Sequence, residues 1–168
     1  MKRFVVRRSL THGRGLFARK PIAAGELILE YRGELITADE ANARASNKED
    51  DPFHTFFFGL SDGRLIDGSV QGNSARWINH SCEPNCESEE GEGRVFIRAL
   101  RALLPGEELS IDYALYLGMR VTAARRREYA CYCGSPQCRQ TMLALRQAAR
   151  KLQLAPSSAA TGCLPVAA

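Results

Sequence analysis

The apolar positions of this chain come in short runs, separated by Gly, Pro and polar clusters, and almost nowhere form long helical stripes. Phe4 to Val6 reads as a first strand, and Glu26-Leu27-Ile28-Leu29-Glu30-Tyr31 as a second, rich in apolar residues. Thr55-Phe56-Phe57-Phe58-Gly59-Leu60 is an aromatic strand, Ser61-Asp62-Gly63-Arg64 a hairpin turn and Arg64-Leu65-Ile66-Asp67 the return strand. The three consecutive Phe must face different ways, because strand side chains alternate. Arg94-Val95-Phe96-Ile97-Arg98-Ala99 alternates as a half-buried strand. Leu103-Leu104-Pro105-Gly106 leads into Glu108-Leu109-Ser110-Ile111-Asp112-Tyr113, much as the turn Lys20 to Gly25 leads into the strand ending at Tyr31. Gly33 marks a bulge or bend. The pattern predicts a mostly β chain of several short strands.

Helical signals are few. Thr37-Ala38-Asp39-Glu40 is a capping box, Thr at the N-cap and Glu three residues on, and the helix it starts runs to about residue 47. Val121 to Tyr129 suits a second helix. Residues 139–153 are expected as an amphipathic basic helix, with Met142, Leu145 and Leu152 roughly on one side. Residues 154–168, composed of Pro, Ser and Ala with few large apolar groups, are expected to be disordered, with Cys163 a free thiol among them.

At 168 residues the prior is one domain, large enough for a core without disulfides. No run of about 18 apolar residues occurs, so no membrane-spanning helix is expected. The basic N-terminus lacks the apolar stretch of a signal peptide, which points to an intracellular protein. The net charge is +4, but unevenly placed. Residues 1–25 carry only basic charge and residues 120–151 are mostly basic; acidic loops, Glu49-Asp50-Asp51 and Glu87 through Glu92, lie between. The basic ends read as solvated faces, so nucleic acid is expected only as an indirect partner. The acidic stretch after Cys86 is expected to attract a basic peptide.

The chemistry concentrates in Arg76-Trp77-Ile78-Asn79-His80-Ser81-Cys82-Glu83-Pro84-Asn85-Cys86, a stretch rich in side-chain donors and acceptors that reads as a loop. Six cysteines are present, three of them in Cys131-Tyr132-Cys133-Gly134-Ser135-Pro136-Gln137-Cys138. Cys-x-Cys-x4-Cys is too tight for independent disulfides and suits metal ligation in a reducing compartment. Structural zinc takes four ligands, and Cys82, Cys86 and Cys163 are the candidates for the fourth. Gly13 and Gly15 let a turn approach a ligand closely.

Taken in order, Gly13-Arg14-Gly15-Leu16-Phe17-Ala18, Tyr31-Arg32-Gly33-Glu34, Asn79-His80-Ser81-Cys82, Gly106-Glu107-Glu108-Leu109-Ser110-Ile111-Asp112-Tyr113 and the Cys-x-Cys-x4-Cys run resemble the SET-domain protein lysine methyltransferases with their post-SET zinc module. The resemblance covers residues 4 to about 143. It implies a β-clip-like fold of short curved sheets, a threaded pseudoknot and a C-terminal zinc flap with four cysteine ligands. By the same resemblance, 4–116 is the SET domain, 117–129 a connection, and 130–153 the zinc module with its C-terminal helix.

The resemblance also implies S-adenosylmethionine and zinc as cofactors and, as substrate, an exposed lysine of a histone or other basic protein or peptide. Arg14, Gly15, Leu16, Phe56, Asn79 and His80 inherit cofactor binding, His80 by orientation without proton transfer. Tyr113 matches the catalytic tyrosine and Tyr31 a second pocket tyrosine. Cys82 is selected as the fourth ligand beside Cys131, Cys133 and Cys138, leaving Cys86 a buried thiol. Phe56 departs from the tyrosine many members carry near the cofactor. Ile111 stands where the family places Phe or Tyr to limit methylation, which implies di- or trimethylation. The alternatives are a catalytically silent peptide- or nucleic-acid-binding module on the same fold and, more distantly, an unrelated zinc-dependent nucleic-acid binder.

Overall fold

A computed structural model of the chain describes residues 3–46, 56–117 and 120–144. The regular structure among the described residues is mostly strand, arranged in small sheets. β1 (Phe4–Arg8) and β2 (Arg14–Ala18) form an antiparallel hairpin. β3 (Leu27–Tyr31) runs antiparallel to β9 (Arg94–Ala99), which also pairs with β8 (Cys86–Gly91). β4 (Glu34–Ile36), β6 (Leu65–Asp67) and β5 (Phe57–Gly59) make a third sheet with β6 central. β7 (Asn79–His80) and β10 (Ser110–Ile111) form a short parallel pair. Helices α1 (Ala38–Ser46) and α2 (Ala123–Glu128) are short.

Local chemistry accounts for most of these boundaries. At α1 the expected capping box forms in both directions. The Glu40 N–H donates to Thr37 Oγ1 at 3.2 Å, and the Thr37 N–H donates to the Glu40 carboxylate at 2.8 Å. Thr122 caps α2 by accepting the Arg125 N–H. The consecutive Phe divide as alternation requires. Phe57 packs with Ile36, Ala41, Ala45 and Leu65 under α1, whereas Phe58 enters the main core with Leu16, Val95, Ile97 and Leu109. Gly33 sits where a Cβ would lie 2.2 Å from the Asp67 carbonyl oxygen, so β4 can approach β6 only with glycine there. The two similar turn segments pair with each other: Ile22 and Leu103 exchange N–H···O bonds of 3.0 and 2.9 Å.

Three expectations are corrected. The acidic stretch after Cys86 is strand β8, closed onto β9 by a tight turn in which Glu92 and Gly93 have φ of 53° and 70°. On β8, Glu89 forms a two-pronged ion pair with Arg98, and Glu90 accepts from the Ser61 N–H and hydroxyl. Much of the charge expected to attract a basic peptide is therefore engaged within the fold. Asn79-His80, expected in a loop, is strand β7, because β10 offers its backbone groups for pairing. Residues 139–144, expected to begin a helix, instead make bridges: Thr141 faces Ala130, and Leu143 faces Leu115. The rest of that expected helix, the tail 154–168 and the acidic run Glu49-Asp50-Asp51 lie outside the described residues.

Across β3 and β9, Glu30 accepts two hydrogen bonds from Arg94, at 2.8 and 2.9 Å, and one from Arg32. Its side chain is 16% exposed, and the Arg94 bonds lead the lowering of its pKa from an ordinary 4.5 to about 2. A carboxylate with a depressed folded pKa stabilises the fold above its unfolded pKa and loses that contribution as pH falls through the folded one. Urea midpoints measured between pH 5 and about 2 should therefore fall more steeply for the wild type than for Glu30→Gln. Parallel pH profiles would contradict this assignment.

Candidate active site

The site is built at a crossing of two chain segments. Ser110 and Ile111 pair with Asn79 and His80, and the Ser81 N–H donates to the Ile111 carbonyl at 3.0 Å. From the other arm of the 79–86 loop, the Asn85 amide donates to the Glu108 carbonyl at 2.8 Å. Its Oδ1 accepts the Ser110 N–H at 2.9 Å. Segment 108–111 is thus bonded to both arms of the loop. This delivers Tyr113, two residues beyond β10, to His80.

His80 is buried, and its Nδ1 accepts the Tyr113 N–H at 3.0 Å. That bond puts the proton of the neutral ring on Nε2, which faces Cys82 Sγ at 3.4 Å. Burial lowers the His80 pKa to about 4, with the Asp112 charge opposing and the Arg139 charge adding to the shift. At neutral pH the ring is therefore uncharged, with both nitrogens engaged by the protein. Tyr113 donates its hydroxyl proton to the Ile78 carbonyl at 2.9 Å, and its ring lies 5.3 Å from that of His80. Tyr31, on β3, is buried and donates its hydroxyl to the Phe56 carbonyl at 2.7 Å. Gly68 makes room for it, since a Cβ there would come within 2.7 Å of the hydroxyl. Both candidate tyrosines are thus aimed by main-chain carbonyls. Ile111 is buried in the core against which Tyr113 packs.

A second group of side chains holds the glycine turn. The Asn79 side-chain amide donates to the Arg14 carbonyl at 2.9 Å, to the His12 carbonyl at 3.2 Å and to Glu108 Oε1 at 2.7 Å. Glu108 also accepts the Ser9 hydroxyl at 2.9 Å. The Asn79 side chain therefore shapes the turn. Leu16 is wholly buried and gives its side chain to the core, while its carbonyl accepts the Leu109 N–H. Arg14 is exposed, with its guanidinium 5.4 Å from the Trp77 ring centroid. Phe56 meets Trp77 edge-on at 5.0 Å, and Arg76 lies 5.0 Å from the same ring. Sequence reasoning missed Glu108 and Trp77 as members of this group. Both sit inside quoted motifs, but no local pattern says that a carboxylate at 108 reaches back to residue 9.

The four cysteines assigned to the metal converge. Cys82, Cys131, Cys133 and Cys138 place their sulfurs within 4.8 Å of one another. Cys82 Sγ is 3.7 Å from Cys131 Sγ and 4.0 Å from Cys138 Sγ. A tetrahedron of sulfurs around zinc at about 2.3 Å has edges of about 3.8 Å, so the spacing fits. Backbone N–H groups of Cys133, Arg139 and Gln140 point at these sulfurs at 3.3–3.4 Å, as they would at thiolates. Burial raises the Cys82 and Cys131 thiols. Burial also acts to raise Cys133, but the N–H of Cys82 and the Ser135 hydroxyl outweigh it and bring it to about 6. Four sulfurs this close could hold a metal ion, which would favour their thiolate forms. Cys86, the rival candidate, is fully buried elsewhere, its thiol pushed up to about 12 by burial. Cys163 lies outside the described residues.

This crossing, with a tyrosine anchored at its exit and a four-sulfur flap behind it, defines a SET domain: the family model of that name matches residues 13–114, and the chain belongs to the SET-domain family. The particular relatives are large proteins. The chain is 39% identical over 137 residues to "Histone-lysine N-methyltransferase trithorax" of Drosophila virilis, covering 79% of this chain and 3% of that protein. It is 38% identical over 139 residues to human "Histone-lysine N-methyltransferase 2B", covering 80% of this chain and 5% of that protein. Among solved structures, "Apo ctPRC2 with E840A and K852D mutations in Ezh2" matches with a TM-score of 0.61 and 33% identity. That match covers 67% of this chain and 15% of the other. The chain spans only a few per cent of the length of these curated relatives.

The Glu108 contact gives a stability test. A Cβ on Gly15 would lie 2.1 Å from Glu108 Oε1, so Gly15→Ala must push that carboxylate off Asn79 and Ser9. The expected cost is about 1–3 kcal/mol, as for overpacking. Added to a Glu108→Ala background, the same substitution should cost much less, because the obstructing group is gone. Equal losses in both backgrounds, measured by chemical denaturation, would contradict the contact.

Proposed function

We propose that the chain is an S-adenosylmethionine-dependent protein-lysine N-methyltransferase whose substrate is an exposed lysine of a histone or another basic protein. The observation that carries this is the fixed hydroxyl of Tyr113 at the exit of the β7–β10 crossing, 2.9 Å from the Ile78 carbonyl. With its proton given to that carbonyl, the Tyr113 oxygen acts toward a substrate amine as an acceptor. It takes one amine N–H and leaves the nitrogen lone pair available for attack. The names of the relatives point the same way.

When bound, S-adenosylmethionine supplies an electrophilic methyl group on a sulfonium. The residues of this chain bind, aim and dehydrate. We assign the main chain of Arg14, Gly15 and Leu16, the Phe56 and Trp77 rings, and Asn79 and His80 to the cofactor side. Asn79 acts chiefly by fixing the turn. His80, uncharged and bonded at both nitrogens, orients without accepting a proton. On the lysine side, Tyr113 and Tyr31 are the pocket tyrosines. A free lysine amine has a pKa of about 10.4, and entry into an apolar passage disfavours its charged form. Positioning is then the main contribution to rate. Phe56, where the family resemblance implies a tyrosine, packs edge-on against Trp77.

We assign zinc to Cys82, Cys131, Cys133 and Cys138, with residues 4–116 as the catalytic domain and 130–153 as the zinc module. Four zinc-bound thiolates suit the reducing conditions of a cell interior. Ile111, apolar and buried beside Tyr113, cannot anchor a water or an amine as a tyrosine could, which favours di- and trimethylation.

Incubation with S-adenosylmethionine and a lysine peptide array, read by mass spectrometry, should show di- and trimethyl-lysine. Tyr113→Phe should lower turnover by about 100-fold, and Ile111→Tyr should shift the product toward monomethyl. Cofactor binding without transfer to any peptide would favour a silent module on the same fold. Only monomethyl product at long times would remove the product assignment.

A further inference from the structure

Arg139 follows directly on the last cysteine of the flap, and its guanidinium has no role in the function proposed above. It lies against the segment that carries Tyr113. Its guanidinium grips Asp112 with both prongs, at 2.8 and 2.7 Å, and its side chain is only 18% exposed. Asp112 Oδ1 is used three ways: it accepts from Arg139, accepts the Ala114 N–H at 3.0 Å, and lies 3.5 Å from His80 Nδ1. At its other end, the Arg139 backbone N–H donates to Cys82 Sγ at 3.3 Å. One residue therefore bonds both the sulfur cluster and the neighbour of Tyr113.

The far side of Tyr113 is held by the same segment. Leu115 donates its N–H to the Met142 carbonyl at 3.0 Å and accepts the Ala144 N–H at 2.9 Å. Between these two grips the chain turns sharply. Ala114 has a φ of 44°, a left-handed conformation that a residue with a Cβ adopts only when its surroundings hold it there. The Asp112 carboxylate bonded to the Ala114 N–H supplies part of that hold.

We propose that Asp112 and Arg139 form a two-pronged clamp by which the C-terminal flap sets the position of Tyr113 against His80, so that both are positioning residues for methyl transfer. This rests on the functional reading given above. A fork-to-carboxylate pair fixes orientation as well as distance, which a single hydrogen bond cannot do. Loosening it leaves the cofactor turn at residues 12–16 untouched, because that turn is held by Asn79 and Glu108. The clamp therefore acts chiefly on turnover, reaching the cofactor side only through the Tyr113–His80 bond. Arg139→Lys keeps the charge but loses the fork, so it should be only partly effective.

The test uses the full chain with Asp112→Asn, Arg139→Met, the double variant and Arg139→Lys, in steady-state kinetics on a peptide that the wild type methylates and in amide hydrogen exchange. Each single neutralising variant should lower kcat about tenfold to 100-fold, the scale of a misplacement near 1 Å. KM for S-adenosylmethionine should change little. The double variant should be no worse than the poorer single, since the two groups act as one unit, and it leaves no buried charge unpaired. Arg139→Lys should fall between wild type and Arg139→Met. The Tyr113 amide, bonded to His80 Nδ1, should exchange faster in the neutralising variants while those of β9 do not change. Wild-type kcat in Asp112→Asn, additive losses in the double variant, or unchanged Tyr113 exchange would each overturn the proposal. Should Arg139→Met lose zinc, Asp112→Asn, which touches no cysteine, decides. Should the wild type methylate nothing, the functional reading fails, and Tyr113 exchange alone still decides the clamp.

Discussion

Four sulfur atoms drawn from positions 82 and 131–138 meet within 4.8 Å, and most of the site depends on that meeting. Without it, the segment after α2 is left with the Arg139–Asp112 pair and the backbone bonds of Leu115 to hold it to the domain. Its own cluster of Leu115, Tyr129 and Leu143 is small, and α2 buries none of its residues. With it, residues 130–144 lie along the exit of the β7–β10 crossing and bond Asp112 and Leu115, on either side of Tyr113. The zinc proposed for the four sulfurs would stabilise the cluster in the low-dielectric setting that otherwise raises the Cys82 and Cys131 thiols. Metal binding and completion of the site would then be one event.

The crossing itself is built from weaker parts used in number. A two-residue parallel pair contributes little alone. It is supplemented by Asn85, which bonds the Glu108 carbonyl and the Ser110 N–H, and by the Ser81 N–H on Ile111. Leu109 and Ile111 bury their side chains in the main core on the same segment. Apolar burial fixes the segment's depth, and the polar contacts of Asn79 and Asn85 fix its register. The result is a tyrosine whose hydroxyl is aimed by the Ile78 carbonyl just before β7 and whose backbone N–H is held by His80.

Much of this is legible in the sequence, and unevenly so. Strands with clear alternation, such as Arg94 to Ala99, and the reciprocal cap at Thr37 and Glu40 depend on near neighbours and form as expected. The cysteine set is legible through the family resemblance, and the sulfur geometry is consistent with it. The acidic run after Cys86 reads as a loop because its charge hides a strand in which Glu87 and Glu89 point outward and Cys86 is buried. The Gly91-Glu92-Gly93 turn is the signal that could have revealed it. Residues 139–144 carry helical periodicity, yet their backbone groups are taken by Leu115 and Tyr129. The contacts of Glu108 with Ser9 and of Arg139 with Asp112 join residues 99 and 27 positions apart, and no local pattern encodes such pairs.

The central claim is that a metal held by Cys82 and the flap cysteines keeps residues 130–144 on the exit of the site. Its most direct test is zinc content of the reduced, purified chain, measured together with amide exchange of residues 130–144 before and after chelation. The account predicts stoichiometric zinc and selective loss of protection in the flap and at Tyr113 when it is removed. A metal-free chain that keeps the same flap protection would contradict it.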